Sequence, residues 1–373
     1  MIGETAANGR AKVLFAPPQG GYTHTIRVGR RSLDVGSRRP LGRTRLQVGI
    51  LGLGGVPLGD LYEILPDDVA RATMKTAYDK GIRLFDTAPL YGRGLSEHRF
   101  GHLLRQKSDE RDAFVLSTKV GRYMVPEERA KVDRSVFKGG LDFRLVPDYS
   151  YDGAMRAIEQ SLNRLGMNKI DIVHVHDVDV QTWGEDGYRQ RFRETMDGAY
   201  RALVDLRNQG VIEAIGVGVN ETRPLMEFAR AGDFDCFMLA GRYTLLEQHA
   251  LDDLLPLCVE RKISIFIAGP YNSGILATGA VPGAKYNYKP APPEILDRVS
   301  RMERICKRYR VPLPACAMQF PLAHPAICSV VPGAARPAEA EANIDLMATS
   351  IPGDLWAELK AEALIRTDAP TPS

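Results

Sequence analysis

The chain has 373 residues, 44% of them hydrophobic and 25% charged, with 35 Gly, 24 Pro and 5 Cys; this excludes a collagenous, low-complexity or small disulfide-scaffold protein. At roughly 100 to 200 residues per domain, the length admits two domains or one large α/β barrel. The net charge of +3 hides an asymmetry: residues 1–45 hold nine of the 49 Lys and Arg and two of the 46 Asp and Glu, so they carry +7, and the 40 basic and 44 acidic residues beyond them carry −4.

Residues 1–40 read as a basic, poorly ordered leader. Val13-Leu14-Phe15-Ala16 is far shorter than the about 7 to 15 apolar residues of a secretory signal, and with only Ser32 and Ser37 the segment lacks the serine content of a transit peptide. Nothing after it supports a nucleic-acid or membrane partner. From about Leu46, eight strand candidates follow: Val48–Leu53, Ile82–Asp86, Phe114–Lys119, Ile170–His176, Ile212–Val217, Phe234–Leu239, Ile263–Ala268 and Ile327–Val331. Between them lie amphipathic helical patterns, among them Asp67–Lys80, Tyr151–Leu165 and Thr195–Gln209. Strands alternating with helices, without a linker, predict a closed (β/α)8 (TIM) barrel over residues 41–366, with a short tail over 367–373. The longest irregular stretches, 123–150 and 269–293, follow the third and seventh strands and fall on the C-terminal face, where barrel enzymes build their sites.

The glycine-rich run Gly52-Leu53-Gly54-Gly55-Val56-Pro57-Leu58-Gly59 is not a Rossmann fingerprint, because Pro57 takes the third glycine position and no helix entry follows. It reads as a strand-end turn that lets a ligand approach the backbone. The five cysteines are odd in number and form no CxxC pair, as expected of reduced core thiols in a cytoplasmic protein. No metal is expected.

The second, third and fourth strands end in Asp86, Lys119 and His176, and Tyr91 follows Asp86 in the turn Thr87-Ala88-Pro89-Leu90-Tyr91-Gly92. Four ionisable side chains thus converge on one rim. The chemistry they suit is proton transfer at a carbonyl oxygen: a Tyr of ordinary pKa near 10 is a poor base, a neighbouring ammonium favours its phenolate by roughly 1 to 3 units, a carboxylate positions that ammonium, and a neutral His orients the substrate oxygen. Acid/base help of this kind supplies about 10²- to 10⁴-fold, so a hydride donor held against the carbon must supply the larger share.

The strings Gly81-Ile82-Arg83-Leu84-Phe85-Asp86-Thr87-Ala88-Pro89-Leu90-Tyr91-Gly92, Ser117-Thr118-Lys119 and Asp171-Ile172-Val173-His174-Val175-His176 resemble the Asp/Tyr/Lys/His tetrad of the aldo-keto reductases, over residues 40 to 350. The resemblance implies Tyr91 as general acid/base, tuned by Lys119 and Asp86, with His176, rather than His174, against the carbonyl. It also implies a β-hairpin across the barrel floor, at Leu41–Val48. For the cofactor it implies Gly55, Asn220 (one place late, after a missing Ser), Gly269, Pro270, Ser273, Gly274, Leu276 and Lys285, then Pro332, Gly333, Ala334, Arg336, Glu339 and Asn343. Ala240 and Ala268 stand where the family has a Gln and the ring-stacking Tyr. Glu339 replaces the Arg of NADP-preferring members, and a carboxylate there repels a 2′-phosphate, so NAD is expected over NADP. Asp177 follows His176 where lipophilic-carbonyl members often place Trp, and joins Tyr91 and His176 as a substrate residue. The phrases around Asn220 and Ser273 look most like NAD-linked dehydrogenases that oxidise L-fucose and related D-threo-aldoses at C1 to lactones, a subgroup that includes pyridoxal 4-dehydrogenases. An aldose is the first expectation and pyridoxal the alternative. A general aldehyde reductase, a cofactor-sensing module and a barrel of unrelated chemistry are the remaining readings.

Overall fold

The computed structural model describes residues 33–372; the expectation of a disordered leader falls, for residues 1–32, outside the described residues. Arg38–Pro40 pairs antiparallel with Gln47–Gly49, and this hairpin lies across the floor, closing over Leu41 and Val48. It begins three residues before the expected 41–48, because the extended, alternately exposed Arg38-Arg39-Pro40 supplies its first strand.

Eight parallel strands follow: β1 (Leu53–Gly54), β2 (Leu84–Asp86), β3 (Val115–Val120), β4 (Ile172–His176), β5 (Ala214–Val219), β6 (Cys236–Ala240), β7 (Ser264–Ala268) and β8 (Ile327–Val331). Each pairs with the next in chain order. The bridges Leu51 to Val330 and Gly54 to Gly333 join β1 to β8 and close the (β/α)8 barrel. The period of two sorts the side chains. Phe85, Leu116, Val173, Val175, Ile215 and Val217 turn outward under the helices, whereas Leu84, Val115, Ile172, Ala214, Cys236 and Phe266 plug the interior. The same alternation stacks Ser117 and Lys119 above Val115, and His174 and His176 above Ile172. The polar residues therefore sit on top of an apolar plug, toward the C-terminal rim.

The expected helices are Asp67–Asp79 and Tyr151–Leu165. In the second, Ser150 caps the N-terminus by accepting from Gly153 N, and Gly166 ends it in the left-handed conformation. The expected helix at 195–209 begins earlier, at Val180. Asp179 caps its start, and a π-turn at Thr195–Ala199 joins it to Tyr200–Asn208; the glycines at 184 and 187 mask the pattern in the sequence. The stretch 123–150 is not irregular throughout: Arg122–Pro126 pairs with Phe143–Pro147 as a hairpin beyond β3. All five cysteines are buried free thiols. In the C-terminal segment Ala369 is buried, and Arg366 N donates to Gln248. No helix among the described residues is long and apolar enough to cross a membrane.

Candidate active site

Lys119 and Asp86 meet at the rim as a buried ion pair. Lys119 Nζ donates to both Asp86 oxygens, at 2.9 and 2.7 Å, and to Thr87 O at 2.8 Å. Ser117 Oγ adds a fourth bond, to Asp86 Oδ1 at 2.8 Å. All three ammonium hydrogens are thereby used. Lys119 is only 1% exposed, and a buried charge persists where its partners are this complete. The Tyr91 ring lies over the pair, its centroid 4.9 Å from Lys119 Nζ, and meets the His176 ring edge-on at 5.9 Å.

The electrostatics differ from the sequence expectation at one point. Burial, then the Asp86 and Asp177 carboxylates, raise the Tyr91 pKa well above its ordinary value. Arg122 acts against this rise, and Lys119, 4.9 Å from the ring, is paired with Asp86. Burial, then the Lys119 and Arg122 charges, push His176 well below its usual range and keep it neutral.

Asp177 adopts φ 54°, a left-handed conformation that Asp tolerates. Its backbone is pinned there: its N–H donates to Gly218 O at 3.0 Å, and its carbonyl accepts from Trp183 Nε1 at 2.7 Å and from Tyr149 OH at 3.3 Å. The bend turns the carboxylate back into the site, 3.4 Å from His176 Nε2 and 3.0 Å from Arg122 Nη1. Arg122, from the hairpin beyond β3, was not found by sequence reasoning. It follows Gly121, whose φ of 107° turns the chain inward, and no motif marks it.

A cavity of about 430 Å³ opens above these groups. Asp86, Tyr91, Lys119, His176 and Asp177 line one end. From there it runs over the ends of β5 to β8, past Asn220, Gly241, Arg242, Gly269, Ser273 and Gly333. Ala240 and Ala268 leave its floor open, with Met238 beneath. The opposite wall is apolar and aromatic: Val56, Leu61, Leu90, Val136 and Phe137, with Tyr288 from the loop after β7. Arg242, Phe137 and Tyr288 also escaped the sequence reading, since loop residues that close a cavity carry no periodic signal.

Of the other residues expected to hold a cofactor, none lines this cavity. Gly55 faces protein: a Cβ there would stand 2.5 Å from both Phe100 Cε2 and Ser96 Oγ. Within that run Gly55 and Gly59 make room for neighbouring helix and turn, while Gly54, Val56 and Pro57 line the cavity. Leu276, Pro270, Pro332 and Ala334 are buried, and Gly274 (φ 103°) starts the short helix Ile275–Thr278. Asn343 accepts from Tyr271 OH at 2.7 Å, and Lys285 lies over the exposed Tyr62 ring. Arg336 is held by both oxygens of Glu63 at 2.8 Å, and Glu339 accepts from Ala335 N at 2.8 Å at the start of the helix Pro337–Ala348.

The family model described as "Aldo/keto reductase family" matches residues 50–363. Pyridoxal 4-dehydrogenase of Microbacterium luteolum is 42% identical over 343 residues, covering 89% of this chain and 99% of its own. D-threo-aldose 1-dehydrogenase of a Pseudomonas species is 40% identical over 327 residues, covering 86% and 96%. Both stand in the subgroup that the sequence resembles. Among solved structures, glycerol dehydrogenase from Gluconobacter oxydans superposes with a TM-score of 0.68 over 91% of this chain and all of its own, at 20% identity. An aldo-keto reductase from Bacillus halodurans in its holo form gives 0.67 over 89% and 97%, at 24%. These two speak for the barrel; the family model and the two relatives aligned nearly end to end carry the assignment, and the chain belongs to the aldo/keto reductase family.

Proposed function

We propose that this chain is a NAD-linked dehydrogenase that oxidises a cyclic hemiacetal carbon to a lactone. The observation that carries the reading is one cavity that places Tyr91, His176 and the Asp86–Lys119 pair at the end of a trough across β5 to β8. A nicotinamide dinucleotide fits that trough: the alanines at 240 and 268 leave room for a flat ring, and Asn220, Arg242 and Ser273 supply an amide, a cation and a hydroxyl beyond it. Held there by Asn220, Arg242 and Ser273, the nicotinamide would supply the acceptor for the hydride of the hemiacetal carbon. Tyr91, as phenolate, takes the proton of the hemiacetal hydroxyl, and the electron pair of that O–H bond becomes the second C–O bond of the lactone. Neutral His176 holds the reacting oxygen. Asp177, braced by Arg122, accepts a hydrogen bond from the hydroxyl next to the reacting carbon.

The wall of Val56, Leu61, Leu90, Val136 and Phe137 suits a flat aromatic ring, which favours pyridoxal, with 4-pyridoxolactone as product. Asp177 and Thr182 on the polar side support the second reading, an aldose of the L-fucose or D-threo type. For the cofactor, Glu339 and Glu63 surround Arg336, so the local charge opposes a 2′-phosphate and favours NAD. The deciding experiment measures kcat/KM for pyridoxal and L-fucose with NAD and with NADP, reading reduced cofactor and identifying the product by mass. The expected result is lactone formation, NAD over NADP, and pyridoxal over L-fucose by about tenfold or more. The reverse substrate order selects the aldose reading. NADP preference refutes the cofactor argument, and turnover of neither compound refutes the proposal.

A further inference from the structure

Directly beneath the Asp86–Lys119 pair the barrel interior holds a second polar layer that the proposed reaction does not use. His174 is fully buried. Its Nδ1 lies 3.3 Å from Ser117 Oγ and its Nε2 3.7 Å from Cys236 Sγ. Phe266 meets the ring edge-on at 5.9 Å. Space for the ring is provided by Gly216: a Cβ there would stand 2.7 Å from His174 Cδ2 and 2.5 Å from Cys236 O. An imidazole in such a place is costly unless its hydrogen bonds are made, and the inward-facing position of a barrel strand could have been filled by any branched aliphatic residue.

The directions of these bonds follow from counting hydrogens. Ser117 has one hydroxyl hydrogen, and Asp86 Oδ1 takes it at 2.8 Å. Ser117 therefore turns a lone pair toward His174, and the imidazole must donate from Nδ1. Burial, then the Lys119 charge, push His174 well below its usual range, so the ring is neutral. Nε2 then carries a lone pair, and the Cys236 thiol, whose other acceptor is Ile215 O at 3.9 Å, stands nearer on that side as donor. Each hydrogen in the series Cys236, His174, Ser117 points toward Asp86.

We infer that Cys236, His174 and Ser117 form a one-way hydrogen-bond relay that holds the Asp86 carboxylate oriented against Lys119, which makes His174 and Ser117 positioning residues for Tyr91; the inference rests on the reading of Tyr91 as the acid/base group. The groups that face Tyr91 are Asp86 and Lys119 from β2 and β3, His176 and Asp177 from the end of β4, Arg122 from the hairpin and Tyr288 from the loop after β7. Of these, Asp86 is the one the relay touches. Without the Ser117 donor, more of the Asp86 negative charge is left facing Tyr91, and the phenolate is disfavoured further.

Two measurements test this, one independent of turnover. In the full chain labelled with ¹⁵N-histidine, one of the seven histidines, identified by its loss in His174→Leu, is expected as the neutral Nδ1–H tautomer from about pH 5 to 9. An Nε2–H tautomer reverses the relay and overturns the proposal. In the oxidation assay, Ser117→Ala is expected to move the pH–rate profile up by about half to one unit, with the cofactor KM unchanged. His174→Leu moves it in the same direction, and the double variant no further than Ser117→Ala alone, as residues acting in series require. Unmoved profiles, or shifts that add, overturn the relay whatever the variants do to thermal stability. Should His174→Leu not accumulate, Ser117→Ala alone reads the shift and the remaining histidine variants assign the spectrum. Full activity in Tyr91→Phe would refute the acid/base reading, and the tautomer measurement would still decide the relay.

Discussion

Tyr91 sits among groups that hold it protonated, and the base role proposed for it requires that proton to be removed. Because burial and two carboxylates raise its pKa, the base form grows about tenfold per pH unit below that value. The oxidation rate is therefore expected to climb steadily from neutral pH to at least about pH 9, and a profile that is flat or peaks in acid would contradict a Tyr91 base. Asp177→Asn removes one of the two carboxylates and should shift the profile down. It also leaves Arg122 buried without its partner, at a stability cost of about 3 to 5 kcal/mol, which thermal unfolding would show. At the cofactor, Glu339→Arg is expected to raise kcat/KM for NADP about tenfold relative to NAD. The tetrad was legible in the sequence because strand period and chain order bring Asp86, Lys119 and His176 to one rim. Arg122 was not, because it reaches the site through the fold-back of a hairpin, and neither was the complete pairing of Lys119 with Asp86 and Thr87.

The hairpin beyond β3 is the element that carries Arg122, and Gln160 is one of the side chains that tie it to the barrel, beside the Arg122–Asp177 pair and Arg156 over the Tyr123 ring. Gln160, on the helix Tyr151–Leu165, accepts from Met124 N and donates to Met124 O, both at 2.9 Å. Gln160→Ala should free the hairpin: hydrogen exchange at Met124 speeds up, the Tm drops by a few degrees, and substrate KM rises more than cofactor KM. An unchanged substrate KM would mean that Arg122 is positioned without the clamp. Strands and the longer helices were read from the sequence because their apolar periods are long enough to stand out. The hairpin was missed because its strands are separated by residues 127–142, so that pairing Arg122–Pro126 with Phe143–Pro147 is a tertiary event. The helix from Val180 was missed because Gly184, with φ 68°, interrupts it.

Among the described residues, burial lowers the pKa values of His174, His176 and His324, the last to about 4. The unfolded chain protonates each near pH 6.5 while the native state does not, so native stability is lost as pH falls below that value, by up to about 1.4 kcal/mol per unit for each histidine. Asp171 and Asp177, raised by burial, act in the opposite sense and blunt the loss. The Tm is expected to fall from pH 7 to pH 5, and a rise over that range would contradict the neutral, buried state of these histidines. The eight-stranded barrel was legible as a whole because its units repeat; its substrate was not, because the cavity wall is assembled from the loops after β1, β2, β3 and β7, which no local pattern links. The central claim is that Tyr91 moves the proton in hydride transfer to NAD. It is tested most directly by following NADH formation from pyridoxal and from L-fucose with the wild type and with Tyr91→Phe at the same pH: the account expects wild-type turnover on one of them and a loss of about 10²- to 10⁴-fold in the variant, and a variant as active as the wild type would contradict it.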